Sequence, residues 1–384
     1  MKPVTAREMR DINRTCILEY MRQRGKVSRS AIAEDLELSL SSVVRITNEL
    51  MDDKLIRLQG EHEFSGGRRR PLIELDTTHN VVVSLSLGAT TATACLCDIT
   101  GNILDSVSQK HNLKGASCIE LLHQLADEML SRAAYKIVRG ISVGVPGVVL
   151  DGNRVMAAPA VGLDNFCLAD RMAPHYECPV LVENDVNLAA LGELWFGYGK
   201  ACSNLIYIHV GTLLGMGIVL DRCILRGAHH GAGELGYLIF NDDELKKAYP
   251  QYGALEESLS GYGLQRIASS RAEGSRPVTP KELFELAQSG TPWAKDMVEA
   301  FQRKLSMVLV SVSALFDPEI IVLGGGVMES ACKYLPAIRA NIALKTPNPI
   351  RLEHSKLGRN ARILGGCASI MHHVMHYSVI KGML

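Results

Sequence analysis

Ser41, Ser42, Arg45 and Asn48 are spaced so that they share one side of an α-helix, with Asp52 a turn further on. Short hydroxyls at a helix start, followed one turn later by a guanidinium and then an amide, are the groups that hydrogen-bond base edges in a DNA major groove. Twenty residues on, Arg68, Arg69 and Arg70 lie between Ser65-Gly66-Gly67 and Pro71. Three successive guanidiniums at the tip of a glycine-flexed hairpin suit phosphates or a minor groove. A third feature lies far downstream, where the apolar run Glu319 to Leu323 enters Gly324-Gly325-Gly326. Strand, glycine loop, then helix is a layout used to approach phosphate with backbone amides.

These side chains need elements to hold them. Asn13 to Arg24 places Ile17, Leu18 and Met21 on one helical face and stops at Gly25. Ser28 can cap a second helix that turns Ala31, Ile32 and Leu36 inward. After a turn at Leu38-Ser39, residues 40–53 put Val43, Ile46, Thr47 and Leu50 inward, which leaves the polar set above outward. Lys54-Leu55-Ile56 then enters a strand, and Leu72 to Leu75 returns from the arginine tip. A plain three-helix bundle would need no such hairpin, so the pattern predicts a winged helix-turn-helix over residues 1–76.

From Val81 the pattern changes to strands at Val81 to Leu87, Thr91 to Asp98 and Ile103 to Ser108, a helix Cys118 to Ala133, and a buried strand Gly140 to Val145. Near Asn204 a similar start recurs: a strand to Val210, a Gly211-Thr212 loop, a strand Met216 to Leu220 and a third at Cys223 to Leu225. Strands alternating with amphipathic helices predict an α/β sensor, and the recurrence predicts two lobes of like architecture. The expected lobes are residues 77–190, completed by a C-terminal helix over 366–384, and residues 191–365, the second carrying effector binding and oligomerisation. A long helix, Pro292 to Leu315, precedes the glycine loop.

Composition bounds the setting. The net charge is zero, and residues 1–75 hold 14 Lys or Arg against 12 Asp or Glu, so any nucleic-acid contact rests on where charges sit. No apolar run nears the roughly 20 residues that span a bilayer, and the N-terminus lacks a signal-peptide pattern. Ten cysteines are scattered without a C-x-x-C pair, which suits reduced thiols. The expectation is a cytoplasmic protein without membrane contact.

Taken together, Ser65-Gly66-Gly67-Arg68-Arg69-Arg70-Pro71, Gly144-Val145-Pro146-Gly147, Glu183-Asn184-Asp185-Val186-Asn187, Arg226 through Gly236, and Val322-Leu323-Gly324-Gly325-Gly326 resemble the ROK family of repressors and sugar kinases. The resemblance spans nearly the whole chain and is nearest the repressor branch, which includes xylose and N-acetylglucosamine repressors. It implies a two-lobed actin-like ATPase (ribonuclease H-like) sugar-kinase fold behind the winged helix. It further implies that Asp185 stands where the kinases keep their general base, and that Asn184, Asp185, Glu234, Tyr237 and Glu256 are effector-binding candidates. Adjacent donors and acceptors suit a polyol. The alternative for Asp185 and Asn187 is that they cap the helix through Leu188 to Trp195.

Departures from the kinase pattern are as informative. The first phosphate loop reads Ser86-Leu87-Gly88-Ala89-Thr90, with serine in place of the family's aspartate, and the second reads Gly211-Thr212-Leu213-Leu214-Gly215, with leucine in place of a glycine. A Cβ there obstructs the close approach of phosphate. The family's zinc ligands are missing: the histidine position is Tyr237, residues 241–256 contain no cysteine, and Ala254 stands where the last thiolate would fall. The neighbours His229 and His230 do not replace them. A sugar-contacting asparagine is Ala160 here.

The expectation is therefore a non-enzymatic repressor of carbohydrate-utilisation genes that requires no cofactor and no metal. Its partners would be operator DNA and a small sugar or polyol effector, and it would act as a homodimer or homotetramer. Two rivals stand beside this reading: an active ROK sugar kinase with an added DNA-binding domain, and a repressor controlled by a protein partner.

Overall fold

The structure is a computed structural model that describes residues 5–65, 68–249, 252–272 and 276–374. The chain divides into two compact units, residues 1–183 with 366–384, and residues 184–365.

The first unit opens with three helices, α1 (Ala6–Arg24), α2 (Arg29–Asp35) and α3 (Leu40–Asp52), and a three-stranded sheet. Its strands are β1 (Val27–Ser28), β2 (Ile56–Ser65) and β3 (Arg68–Leu75), in the order β1-β3-β2. Ile17, Leu18, Met21 and Ile32 meet Val43, Ile46 and Leu50 in the core of this head, closed by Leu55, Ile56 and Ile73. The Ser28 hydroxyl caps α2 by accepting the Ala31 N–H, and Ser39 caps α3 by accepting the Ser42 N–H. The head is a winged helix-turn-helix.

After the head come β4 (Asn80–Leu87), β5 (Thr91–Asp98), β6 (Ile103–Lys110), α4 (Ser117–Ala133) and β7 (Ile137–Val145). A small antiparallel sheet of β8 (Val148–Leu150), β9 (Arg154–Ala158) and β10 (Leu163–Cys167) follows, then α5 (Leu168–Met172) and β11 (Val180–Asn184). The main sheet runs β11-β7-β4-β5-β6. Leu121, Leu122, Leu125 and Met129 of α4 cover one face, packing with Val83, Leu85, Val143 and Val145 in one core.

The second unit starts on α6 (Asp185–Phe196) and continues through β12 (Leu205–Val210), β13 (Leu214–Leu220) and β14 (Cys223–Ile224). Helices α7 (Asp242–Leu245), α8 (Glu256–Leu259), α9 (Gly261–Arg271), α10 (Pro280–Gln288) and α11 (Pro292–Phe316) come next. The unit ends with β15 (Ile320–Gly324), α12 (Gly326–Ala331), α13 (Leu335–Ile342), β16 (Leu352–His354) and the first residues of α14 (Ala361–Val374). Its sheet order, β14-β13-β12-β15-β16, repeats that of the first unit strand for strand. In each, three antiparallel strands are followed by a crossover to a parallel fourth, so the recurrence seen in the sequence is a repeat of topology.

The structure moves one expected boundary and closes one alternative. Residues 184–190, placed in the first lobe on sequence, belong to the second unit because α6 packs on β12 and β13. Arg68 to Arg70 open β3 at the far end of the β2–β3 hairpin, their backbone paired opposite Ser65, Phe64 and Glu63, while Gly66 and Gly67 lie outside the described residues. Asp185 and Asn187 do not cap α6; the side-chain oxygen of Asn184 does, accepting the N–H groups of Val186 (2.9 Å) and Asn187 (3.0 Å).

Candidate functional site

The polar face of α3 is built by what its other face buries. With Val43, Ile46, Thr47 and Leu50 buried, Ser41, Arg45 and Asn48 are exposed and Ser42 is half-buried. Ser39 donates its hydroxyl proton to the Ser42 oxygen at 2.8 Å. The Asn48 side-chain carbonyl accepts from Arg29 of α2 at 2.7 Å, so its NH2 end is the one turned to an external acceptor. Among the described residues, Arg45 makes one long ion pair, 3.7 Å to Glu49, and it keeps 55% of its side-chain surface in solvent. A guanidinium so loosely held is available to a base or a phosphate. The side chains of Arg68, Arg69 and Arg70 lie outside what the structure describes.

The effector candidates all fall in the second unit. Asp185, the first residue of α6, is buried, and its Oδ2 accepts from Arg362 Nη1 at 2.9 Å. Burial raises its carboxyl pKa, against the opposing pull of that guanidinium. Arg362 is a partner that sequence spacing could not have revealed, since 177 residues separate the two. The field of Arg362 also reaches Tyr207 and His209, both on β12. Burial, helped by that charge, pushes the His209 imidazole down to about 3, so it is neutral. Neither residue stood out in the sequence, because an apolar strand with two interior aromatic rings reads as core.

Glu256 is buried at the start of α8. Its Oε1 accepts the Leu214 N–H at 2.9 Å, and its Oε2 has no hydrogen-bond partner among the described residues. Desolvation, with a contribution from nearby Glu234, lifts its pKa to about 7. Glu234 is exposed, yet the protein around its carboxyl still raises its pKa by desolvation. Gly233 lets this segment approach β13: it has φ +93°, accepts the Met216 N–H at 3.0 Å, and a Cβ on it would lie 1.8 Å from the Met216 oxygen. Tyr237 is 53% exposed, and Ala254 is buried. The turn between β12 and β13 links the two carboxylates: Gly215 packs on Val186, next to Asp185, while Leu214 bonds Glu256.

The glycine loops are closed on themselves. Gly211 donates its N–H to the Leu213 oxygen at 3.1 Å, and Leu214 spends its own on Glu256. A Cβ on Gly211 would meet His209 Nε2 at 2.3 Å, so the imidazole fills the space beside the turn. In the first unit Gly88 N–H bonds the Thr91 oxygen at 2.9 Å, making residues 88–91 a hairpin turn with Ser86 inside strand β4. Gly325, at φ +98°, leads into α12, a helix of six residues. All ten cysteines are free thiols. No helix among the described residues is long and apolar enough to cross a membrane.

Comparison with known proteins reaches most of the chain, up to 97% of it. The xylose repressor of Caldicellulosiruptor bescii is 24% identical over 96% of this chain and 98% of its own. The DNA-binding transcriptional dual regulator NagC of Escherichia coli is 25% identical over 87% of this chain and 85% of its own. Among solved structures, a ROK family transcriptional regulator described as a homolog of the E. coli MLC protein superposes with a TM-score of 0.83 at 24% identity, over 97% of this chain and all of that one. The ROK hexokinase of Thermus thermophilus superposes with a TM-score of 0.67 at 29% identity over 77% of this chain and 99% of its own. The ROK family model matches residues 82–373, and with the repeated sheet topology this establishes that the chain belongs to the ROK family.

Proposed function

We propose that this protein is a DNA-binding transcriptional repressor of carbohydrate-utilisation genes whose ROK domain binds a small sugar or polyol. The observation that carries this reading is the winged helix itself: α3 presents Ser41, Ser42, Arg45 and Asn48 away from its buried face, in a head that relatives named as repressors share by aligning over 96% of the chain. A recognition helix of this kind works in pairs on two half-sites, so the acting species is a homodimer or a homotetramer. The domains of the proposal are the head over residues 1–76 and two lobes behind it.

Asn184, Asp185, Glu234, Tyr237 and Glu256 are the proposed effector contacts, with Asp185 at the former base position. Three features favour binding over phosphoryl transfer. Asp185 has its Oδ2 engaged by the Arg362 guanidinium, a cation that draws on the carboxylate and lowers its basicity toward a hydroxyl. The β12–β13 turn has committed the N–H groups of Gly211 and Leu214 internally, leaving them unable to cradle phosphate. By the family resemblance, Ser86 and Leu213 stand where the kinase loops carry an aspartate and a glycine. Control by a protein partner in place of a metabolite is the second reading; the unpartnered Glu256 oxygen favours a small polar ligand.

Two measurements test this. Selection from a random DNA pool should enrich an inverted repeat. A thermal-shift screen of sugars, sugar phosphates and polyols should find one that adds about 2.7 kcal/mol at 100 times its Kd. Enrichment of DNA with no ligand that alters its binding would promote the protein-partner reading.

A further inference from the structure

The junction between the head and the first sheet is polar, with Asn80 buried at its centre and Arg139 half-buried beside it. Asn80, the first residue of β4, is fully buried; its Nδ2 donates to the backbone oxygens of Lys54 and Asp76, both at 2.7 Å. Its Oδ1 accepts from Arg139 Nε at 2.5 Å. Arg139 lies on β7, and its Nη2 donates at 2.6 Å to the backbone oxygen of Asp53, the C-cap of α3. The Asp53 side chain accepts from Arg14 of α1 at 2.8 Å. Thus the C-terminal end of the recognition helix, where its carbonyls and dipole present negative charge, is held by one guanidinium from the head and one from the sheet. Around this, Asp76 accepts the N–H groups of Thr78 and His79, while Arg57 and Lys136 both bond Thr78.

We propose that Arg139, seated by Asn80, is a positioning residue that couples the recognition helix to the sheet of the sensor and so sets the spacing of paired heads on DNA. A guanidinium has the fork this requires, one N–H to each of two acceptors in fixed geometry; an ammonium does not. The strands that carry the two residues are neighbours with parallel register, Asn80 opposite Ile137. They run from the junction to the Gly88 turn and the Pro146-Gly147 segment, roughly 25 Å away at about 3.3 Å per residue. A paired strand is stiff along its length, so movement at those loops is delivered to α3 as a rotation of the head, not absorbed in a linker. The proposal rests on the repressor reading above.

The test uses the full-length protein and the DNA that the wild type selects from a random pool. Wild type should enrich half-sites at one narrow spacing. Arg139→Met should broaden the spacing distribution and weaken binding to the complete repeat by tenfold or more, while binding to a single half-site duplex stays within twofold. Arg139→Lys, which keeps the charge but not the fork, should fall between the two and guards against loss of folding in the methionine variant. Lys136→Met, removing an exposed hydrogen bond at the same junction, should leave spacing unchanged. If both Arg139 variants keep the wild-type spacing and affinity, or lose half-site and full-site binding equally, the coupling role is wrong while the repressor reading stands. Failure of the wild type to enrich any sequence would sink both.

Discussion

At the residue scale, single side chains divide into those that read, those that grip and those that are held unwillingly. Arg45 is the expected reader, since it is exposed and loosely paired on α3. Arg45→Ala should relax sequence preference at one position per half-site and cost about 1–3 kcal/mol if its contact is bidentate. Alanine at Arg68, Arg69 or Arg70 should instead weaken selected and random DNA together, lowering the salt slope by about one for each phosphate no longer neutralised. Binding isotherms across a salt series on both DNAs separate the two, and equal loss of specificity from both sets would refute the assignment.

Glu256 is held unwillingly. Its folded pKa of about 7 stands above the ordinary 4.5, so the stability it contributes is complete below pH 4.5 and is lost as pH rises through 7. At about 1.4 kcal/mol per unit, the penalty at pH 8 is on the order of 3 kcal/mol. Glu256→Gln, neutral throughout, should therefore raise Tm relative to wild type at pH 8 and have little effect at pH 4.5. A variant less stable than wild type at pH 8 would show that the bond from Leu214 requires the carboxylate. Asp185 is likewise a carboxyl whose charge burial disfavours, in spite of Arg362. Asp185→Asn should therefore cost little stability at neutral pH, Arg362 being partly exposed, and should show in a shifted response to whatever sugar the screen identifies.

At the scale of elements, geometry at two ends carries the site. Ser39→Ala removes the cap of α3 and should cost about 1 kcal/mol, seen as a lower urea midpoint of unfolding. Gly233→Ala is more severe. It asks a Cβ to occupy a left-handed position 1.8 Å from the Met216 oxygen, so the segment carrying Glu234 must leave β13. A destabilisation of more than about 2 kcal/mol is expected, with the effector-dependent thermal shift abolished. A Gly233→Ala protein with wild-type melting and ligand response would contradict the close packing of this loop.

For the whole molecule, the expectation is binding without turnover. A panel of hexoses with ATP should show no Asp185-dependent ADP release. The double change Ser86→Asp with Leu213→Gly should not create it, because the Arg362 ion pair and the bond from Leu214 to Glu256 remain. Turnover abolished by Asp185→Asn would establish the kinase reading. Elemental analysis after dialysis should find no stoichiometric zinc, since the resemblance puts Tyr237 and Ala254, neither a zinc ligand, at the expected ligand positions.

What the sequence alone determined is local. A helix of period 3.6 must bury Val43, Ile46, Thr47 and Leu50 together, and that places Ser41, Arg45 and Asn48 outward before any neighbour is known. Likewise the strand starts near Val81 and Asn204 were legible as alternations and turns, and the two sheets repeat one order because each set of strands has its own crossover. The cap of α6 is not legible in the sequence, because Asn184, Asp185 and Asn187 are all good capping residues; only the backbone conformation selects Asn184. Tertiary structure decided the rest. Asp185 meets Arg362 across 177 residues, and Asn80 meets Arg139 across 59. Neither encounter has a sequence period, because each depends on where packed sheets and helices deliver two charged or polar groups that burial then obliges to pair.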